Sequence, residues 1–167
     1  MAGPNKPQTL RGKLYDMVIV HTFSQRSFVK VLAKKSGAAN VLMRWIPQVE
    51  LQIGKKLKRL RSDNGGEFLS RKFMDRLSLW GVVQQTTPSY SPQSNGITER
   101  MNWTLRDKAR TMMLEFGLPG WLWGEILLIS CVLRNLTPTS SLSVTPLEIN
   151  PHEQKDSLVN KIYTSWL

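Results

Sequence analysis

Two acidic residues of this chain, Asp63 and Glu99, occupy positions from which carboxylates can do chemistry. Asp63 follows a short strand-like run and precedes an Asn-Gly-Gly turn, whereas Glu99 lies in the first turn of a long predicted helix. Residues that end a strand and begin a helix can meet at one site, although 35 residues separate these two. Mg²⁺ often binds one or two carboxylates together with phosphate oxygens, and such ions promote phosphodiester chemistry. The pair therefore indicates a metal-dependent site for phosphodiesters.

Each carboxylate also has a purely structural interpretation when it is taken alone. An aspartate before Asn-Gly-Gly commonly forms a turn through its side chain. A glutamate in the first turn of a helix complements the helix dipole. The choice between chemistry and structure therefore depends on the elements that carry the two residues.

Those elements follow from the hydrophobic pattern of the chain. In chain order we predict a hairpin of strands 14–20 and 27–32, a helix over 37–53 capped at position 36, a strand over 57–61, a helix over 70–80, a strand over 82–87, and helices over 97–116 and 121–133. Pro47 lies inside the first helix, so we expect a kink or an early stop there, because proline removes a backbone hydrogen bond. This order predicts an α/β domain with a small mixed sheet.

The composition favours a folded domain that binds polyanions. The chain has 167 residues, 41% of them hydrophobic, which is enough to bury a core. Its 23 Lys and Arg against 12 Asp and Glu leave a net charge of +11, so nucleic acid is the leading partner and an anionic membrane surface the second. A basic domain without such a partner is the third interpretation. No apolar run is long enough to cross a bilayer, and Cys131 is predicted to be a buried thiol.

Several motifs in a fixed order resemble the catalytic core of retroviral-type integrases, and in particular those of copia-type LTR retrotransposons. The motifs are LRSDNGGEF at 60–68, YSPQSNGITERMNWTL at 90–105, LPGWLWGE at 118–125, LRNLTPT at 133–139 and TPLE at 145–148. The spacing of 35 residues between the two acids is also that of the family, and FSQR at 23–26 resembles its hairpin turn. The resemblance covers about residues 2–150.

The resemblance implies an RNase H-like fold, in which helices flank a five-stranded mixed sheet. It also implies DNA integration: removal of terminal nucleotides from the element's DNA ends, then transfer of the 3′ hydroxyl into target DNA, with Mg²⁺ or Mn²⁺. Asp63 and Glu99 then correspond to the second and third acidic ligands of the family.

The resemblance further implies a DNA-binding surface around Glu99, next to the loop that precedes it. The implied contacts are Asn64, Tyr90, Gln93, Asn95, Asn102, Arg106 and Arg110. A solvated, charged helix face is the structural alternative for the arginines. Separately, Lys55, Lys56, Lys58, Arg59 and Arg61 form a basic run that could follow a phosphate backbone.

The family's first acidic ligand lies three residues before a Gly-Pro pair, which corresponds to the position just before Met1. We therefore expect a core that is truncated at its N-terminus, with the first, central strand largely missing. Asp16 is a poor substitute, and we expect it at a strand entry or an edge. Such a chain should be inactive in DNA end processing, marginally stable and prone to aggregate through open strand edges.

Two other functions remain open at this point: a non-catalytic nucleic-acid-binding remnant of a transposable element, and a structural or oligomerisation piece that uses the apolar C-terminal helix. We divide the chain into the core at 1–135 and an irregular extension at 136–167. The expected partner is DNA, with no membrane, and a homo-oligomer is a further option. The substrate places the expected site of action in the nucleus.

Overall fold

The computed structural model describes residues 1–86, 96–138 and 144–149. The strands are β1 (Tyr15–Val20), β2 (Ser27–Leu32), β3 (Arg59–Ser62) and β4 (Val83–Thr86). The helices are α1 (Ala38–Ile53), α2 (Arg71–Leu79), α3 (Gly96–Glu115) and α4 (Trp123–Leu136), with short 3₁₀ turns before α1 and α4. Every predicted element is present within a few residues of its expected bounds.

The described strands form two separate two-stranded sheets. β1 and β2 pair antiparallel as the predicted hairpin, with Val18 opposite Val29. β3 and β4 pair parallel, with Leu60 opposite Gln84. Within the described ranges no strand hydrogen-bonds to both pairs. Among the described residues, the free edge of β1 is met by the N-terminal segment, where Ala2 forms an antiparallel bridge.

Two hydrophobic cores lie on opposite faces of the hairpin. The first core consists of Met17, Leu32, Ala38, Ala39, Leu42, Ile46, Phe68, Phe73, Leu77 and Val82. The second core consists of Val18, Val29, Met101, Leu105, Ala109, Ile126, Leu127 and Cys131. Because neighbouring strand residues point to opposite faces, β1 sends Met17 into the first core and Val18 into the second. Helices α1 and α2 therefore cover one face of the hairpin, and α3 and α4 cover the other.

The structure corrects the prediction at both ends of the first helix. The early stop expected at Pro47 does not occur, because the helix continues to Ile53 and ends at Gly54 with φ +67°. Pro47 is exposed, while Leu42 and Ile46 are buried on the helix face that packs into the first core. At the other end the cap is Gly37 rather than the serine before it, since a 3₁₀ turn comes first.

Cys131 is buried, as predicted. Its Sγ lies 3.2 Å from the backbone oxygen of Ser27, and Asn135 donates to the same oxygen at 2.8 Å. These contacts attach the start of β2 to α4. In the part of the chain that the structure describes, no helix combines the length and the apolar character needed to cross a membrane.

Candidate active site at the ends of β3 and α3

Asp63 directly follows the last residue of β3, at the turn predicted from the sequence. Its side chain is 48% exposed, and Oδ2 lies 3.9 Å from the backbone nitrogen of Met1. Oδ1 accepts a long hydrogen bond of 3.4 Å from the backbone nitrogen of Gly65. The aspartate thus helps to form the turn, and both oxygens remain near solvent.

The alternation of side chains along β3 determines which side of the sheet Asp63 faces. Leu60 packs against the first core, whereas Arg59 and Arg61 are exposed. Because successive residues of a strand point to opposite faces, Asp63 continues the face of the two arginines, away from the first core. On the hairpin, Val18 of β1 meets α3 in the second core, on the face opposite to the first core.

Glu99 lies in the first turn of α3 and is exposed. Asp63 and Glu99 thus both end up exposed at element ends, one after β3 and one at the start of α3, and their sharing of a metal site stays a prediction. Two accessible carboxylates fit a hard cation that keeps water or phosphate oxygens as its other ligands. Among the residues that the structure describes, no group of three or more His, Cys, Asp and Glu side chains is arranged to hold a metal ion.

Arg106, one of the expected DNA contacts, has a partner inside the protein. Its Nη2 donates to Oδ1 of Asp16 on β1, and its Nη1 lies 3.4 Å from Oδ1 of Asn5. Asn5 in turn donates from Nδ2 to the same oxygen of Asp16 at 2.9 Å. The network joins three parts of the chain, namely the N-terminal segment, β1 and α3, so Arg106 holds α3 in place.

Asp16 is the second residue of β1, close to the strand entry expected from the sequence, and its side chain is completely buried. Its backbone pairs with Ala2 on one side of β1 and stands opposite Val31 on the other, so both edges at this position are occupied. The side chain points toward α3 and is neutralised by Arg106. It is therefore not a substitute metal ligand in this conformation.

The remaining expected DNA contacts occupy different environments. Asn64 and Arg110 are exposed. Asn102 is half-buried, and its Oδ1 has no hydrogen-bond partner among the described residues. Tyr90, Gln93 and Asn95 lie outside the described residues. Their role as DNA contacts therefore stays a prediction.

The hairpin turn is built around polar groups that the sequence analysis did not weigh. Ser24 is buried, and its Oγ lies 2.7 Å from Nδ1 of His21. Arg26 is only 1% exposed, its guanidinium lies 5.0 Å from the ring centroid of Phe28, and burial lowers its pKa to about 10. These residues shape the turn and present little charge to a ligand.

Sequence reasoning missed Asn5 and the ion pair of Asp16 with Arg106. The available signal was a single charged residue inside an otherwise apolar strand run, YDMVIV. A buried charge requires a partner, so an acid in such a strand indicates a cation on a neighbouring element. Choosing Arg106 as that cation required the tertiary structure, since 90 positions separate the two residues.

Sequence comparison finds relatives among Pol polyproteins. The chain is 36% identical over 143 residues to the retrovirus-related Pol polyprotein of transposon TNT 1-94 from Nicotiana tabacum, a match that covers 86% of this chain and 11% of the relative. It is 30% identical over 138 residues to the Gag-Pol polyprotein of baboon endogenous virus, covering 83% of this chain and 8% of that protein. The chain thus spans about a tenth of these relatives. No family model matches it.

Structure comparison finds integrases. The simian T-cell lymphotropic virus intasome, solved with a PP2A regulatory subunit, matches with a TM-score of 0.69 at 19% identity, covering 91% of this chain and 51% of that one. The HTLV-2 integrase catalytic core, solved with magnesium in a trimeric form, matches with a TM-score of 0.61 at 21% identity, covering 80% and 82%. The chain is therefore a homologue of retrotransposon and retroviral Pol polyproteins, with the RNase H-like fold of integrase catalytic cores.

Proposed function

We propose that this chain is the integrase core of a retrotransposon Pol polyprotein of the copia type, and that it binds DNA and a divalent cation at a site of the kind used for phosphodiester transfer. The observation that carries the proposal is that two exposed carboxylates stand at element ends, Asp63 directly after β3 and Glu99 in the first turn of α3. The homology to Pol polyproteins and the integrase fold support it.

The chain's own residues have distinct tasks in this proposal. Asp63 and Glu99 hold Mg²⁺ or Mn²⁺, which would supply activation of a hydroxyl and stabilisation of a leaving oxygen. The turn at 63–66 fixes the first carboxylate relative to β3. The ion pair between Arg106 and Asp16 fixes the helix that carries the second. The net charge of +11 attracts the DNA.

One observation favours a second function, that of a DNA-binding unit without catalysis. In the described ranges no group of three or more acidic, histidine or cysteine side chains is arranged to hold a metal ion, and Asp16 is paired internally. We therefore expect this chain to bind DNA and a cation while leaving DNA ends uncut. In this proposal the core ends at residue 135 and the extension follows it. The chain acts on nuclear DNA. It assembles into oligomers, a proposal supported by the intasome and the trimeric core among the similar structures.

Two assays test the proposed function. Fluorescence anisotropy measures binding of a labelled DNA duplex, and an end-processing assay in Mn²⁺ measures cleavage of DNA ends. The expected result is retention of duplexes of unrelated sequence, steep weakening with salt, and no cleavage. Cleavage that is lost in Asp63→Asn would overturn the non-catalytic alternative. Failure to bind any duplex at low salt would overturn the assignment of DNA as the partner.

A further inference from the structure

Trp103 on α3 is exposed to water, unlike the other tryptophans that the structure describes. It is 70% exposed, whereas the others are half-buried, namely Trp45, Trp80, Trp121 and Trp123. Single apolar residues are common on protein surfaces, so the neighbours of this indole decide what it can bind.

The neighbours of Trp103 on the helix surface are all charged. Residues three and four positions apart on a helix lie next to each other, and for Trp103 these are Glu99, Arg100, Arg106 and Asp107. The next exposed large apolar residue on the same side of α3 is Leu114, about 16 Å further along the axis. Because the centre of a protein interface is apolar and poor in charge, a single indole among charges is a poor centre for one.

A nucleobase fits these surroundings better. An aromatic side chain stacks on the flat face of any base, and nearby arginines bind the phosphates of the same strand. Arg100 and Arg110 are exposed beside Trp103, whereas Arg106 is held by Asp16. A neutral base is also not repelled by the acidic neighbours of the indole.

The state of the DNA follows from the shape of the site. Inside a duplex both faces of a base are covered by the neighbouring base pairs, so a side chain on a helix surface can stack only on an unpaired or terminal base. Trp103 lies four residues after Glu99, which is about 6 Å along the helix axis. A base stacked there belongs to a nucleotide close to the proposed metal site.

We propose that Trp103 stacks on an unpaired base of a DNA end and so holds that end beside Glu99. The inference rests on the proposed function and deepens it, because it names the form of DNA that the site prefers: an end with an unpaired strand. The contact reads no sequence, since every base offers a flat face.

The test compares Trp103→Ala with Phe116→Ala as the matched control. Phe116 directly follows α3 and is 71% exposed, so both changes remove one exposed aromatic ring. Anisotropy measures the affinity for a labelled blunt duplex and for the same duplex with a short 3′ overhang, at several salt concentrations. Circular dichroism checks the folding of each variant.

The unmodified chain should bind the overhang duplex more tightly than the blunt one, and Trp103→Ala should lose that preference. Loss of one stacked base should weaken overhang binding about 5- to 150-fold. The plots of log affinity against log salt should stay parallel, because no phosphate contact is removed. Trp103→Phe should keep most of the preference and Trp103→Leu should lose it, since leucine is apolar but has no ring. Phe116→Ala should bind as the unmodified chain does.

Four outcomes would contradict these expectations. Equal binding of both duplexes by the unmodified chain would overturn the stacking contact while the proposed function stood, and no binding at all would overturn the proposed function itself. A preference that survives in Trp103→Leu would also overturn stacking. Unchanged DNA binding by Trp103→Ala, together with a smaller molar mass in light scattering, would reassign the indole to a contact with a second copy of the chain. If Trp103→Ala does not fold, Trp103→Leu provides the same test with a larger side chain.

Discussion

Replacing Arg106 by alanine should be among the most damaging single changes on α3. The change leaves Asp16, whose side chain is 0% exposed, as a buried carboxylate without its cation. Its Oδ2 has no hydrogen-bond partner among the described residues, and Asn5 supplies Oδ1 with only one neutral donor at 2.9 Å. Breaking a buried ion pair by removing one partner costs about 3–5 kcal/mol.

The lower end of that range applies, because the Arg106 side chain is 38% exposed and water can reach its site after truncation. A loss of about 3 kcal/mol is a large part of a typical stability of about 5–15 kcal/mol. For a chain of this size it lowers Tm by about 6–12 °C, at about 2–4 °C for each kcal/mol. Urea and thermal unfolding followed by circular dichroism measure both quantities.

The matched control is Arg110→Ala, one turn further along α3, where the arginine is exposed and the expected effect lies within about 0.5 kcal/mol. A second variant, D16L/R106M, replaces both charges by apolar groups and should recover most of the loss, since such replacements are often neutral. Equal stability of Arg106→Ala and Arg110→Ala would refute the reasoning. So would a D16L/R106M variant that is less stable than Arg106→Ala.

Three further predictions concern single side chains. Burial, with Lys55 and Arg26 nearby, lowers the pKa of His21 below 6.5. The unfolded chain therefore binds more protons than the folded chain, and the free energy of unfolding should fall as the pH drops below about 6.5. In urea unfolding at several pH values, His21→Gln should flatten that part of the pH profile. Burial raises the pKa of the Cys131 thiol, so a thiol reagent should react with it at neutral pH only after the chain unfolds. Rapid labelling of Cys131 in the folded chain would contradict its burial. Phe73→Ala should cost about 3–5 kcal/mol, because Phe73 is fully buried in the first core, and a loss below about 1 kcal/mol in the same unfolding assay would contradict that core.

Sequence patterns predicted those secondary-structure elements that are determined by interactions between residues close together in the chain. The hairpin, α2 and the β3–β4 pair follow from alternation, helical spacing and glycine turns, which depend on few neighbouring residues. The early stop expected at Pro47 does not occur. Pro47 is exposed, and a backbone carbonyl without a protein partner is tolerated where water can reach it. Exposure is a property of the packed fold and cannot be read from the helical period alone.

The candidate site was predictable in part. The types and order of Asp63 and Glu99 marked them in the sequence, and the structure has them after β3 and in the first turn of α3 as expected. The resemblance implied that Arg106 contacts DNA, and that contact stays a prediction. Its pairing with Asp16 could not be read from helical spacing, because only the fold brings β1 beneath α3.

The central claim is that Asp63 and Glu99 share one divalent cation, and Mn²⁺ binding measured by calorimetry and by electron paramagnetic resonance tests it most directly. The unmodified chain should bind Mn²⁺, and Asp63→Asn and Glu99→Gln should each weaken its binding. The double variant should bind Mn²⁺ no more weakly than the weaker of the two single variants, because both changes remove the same site. Asp107→Asn, at an exposed acid further along α3, is the matched control and should bind as the unmodified chain does. Weakening by Asp63→Asn together with unchanged binding in Glu99→Gln would contradict a shared site.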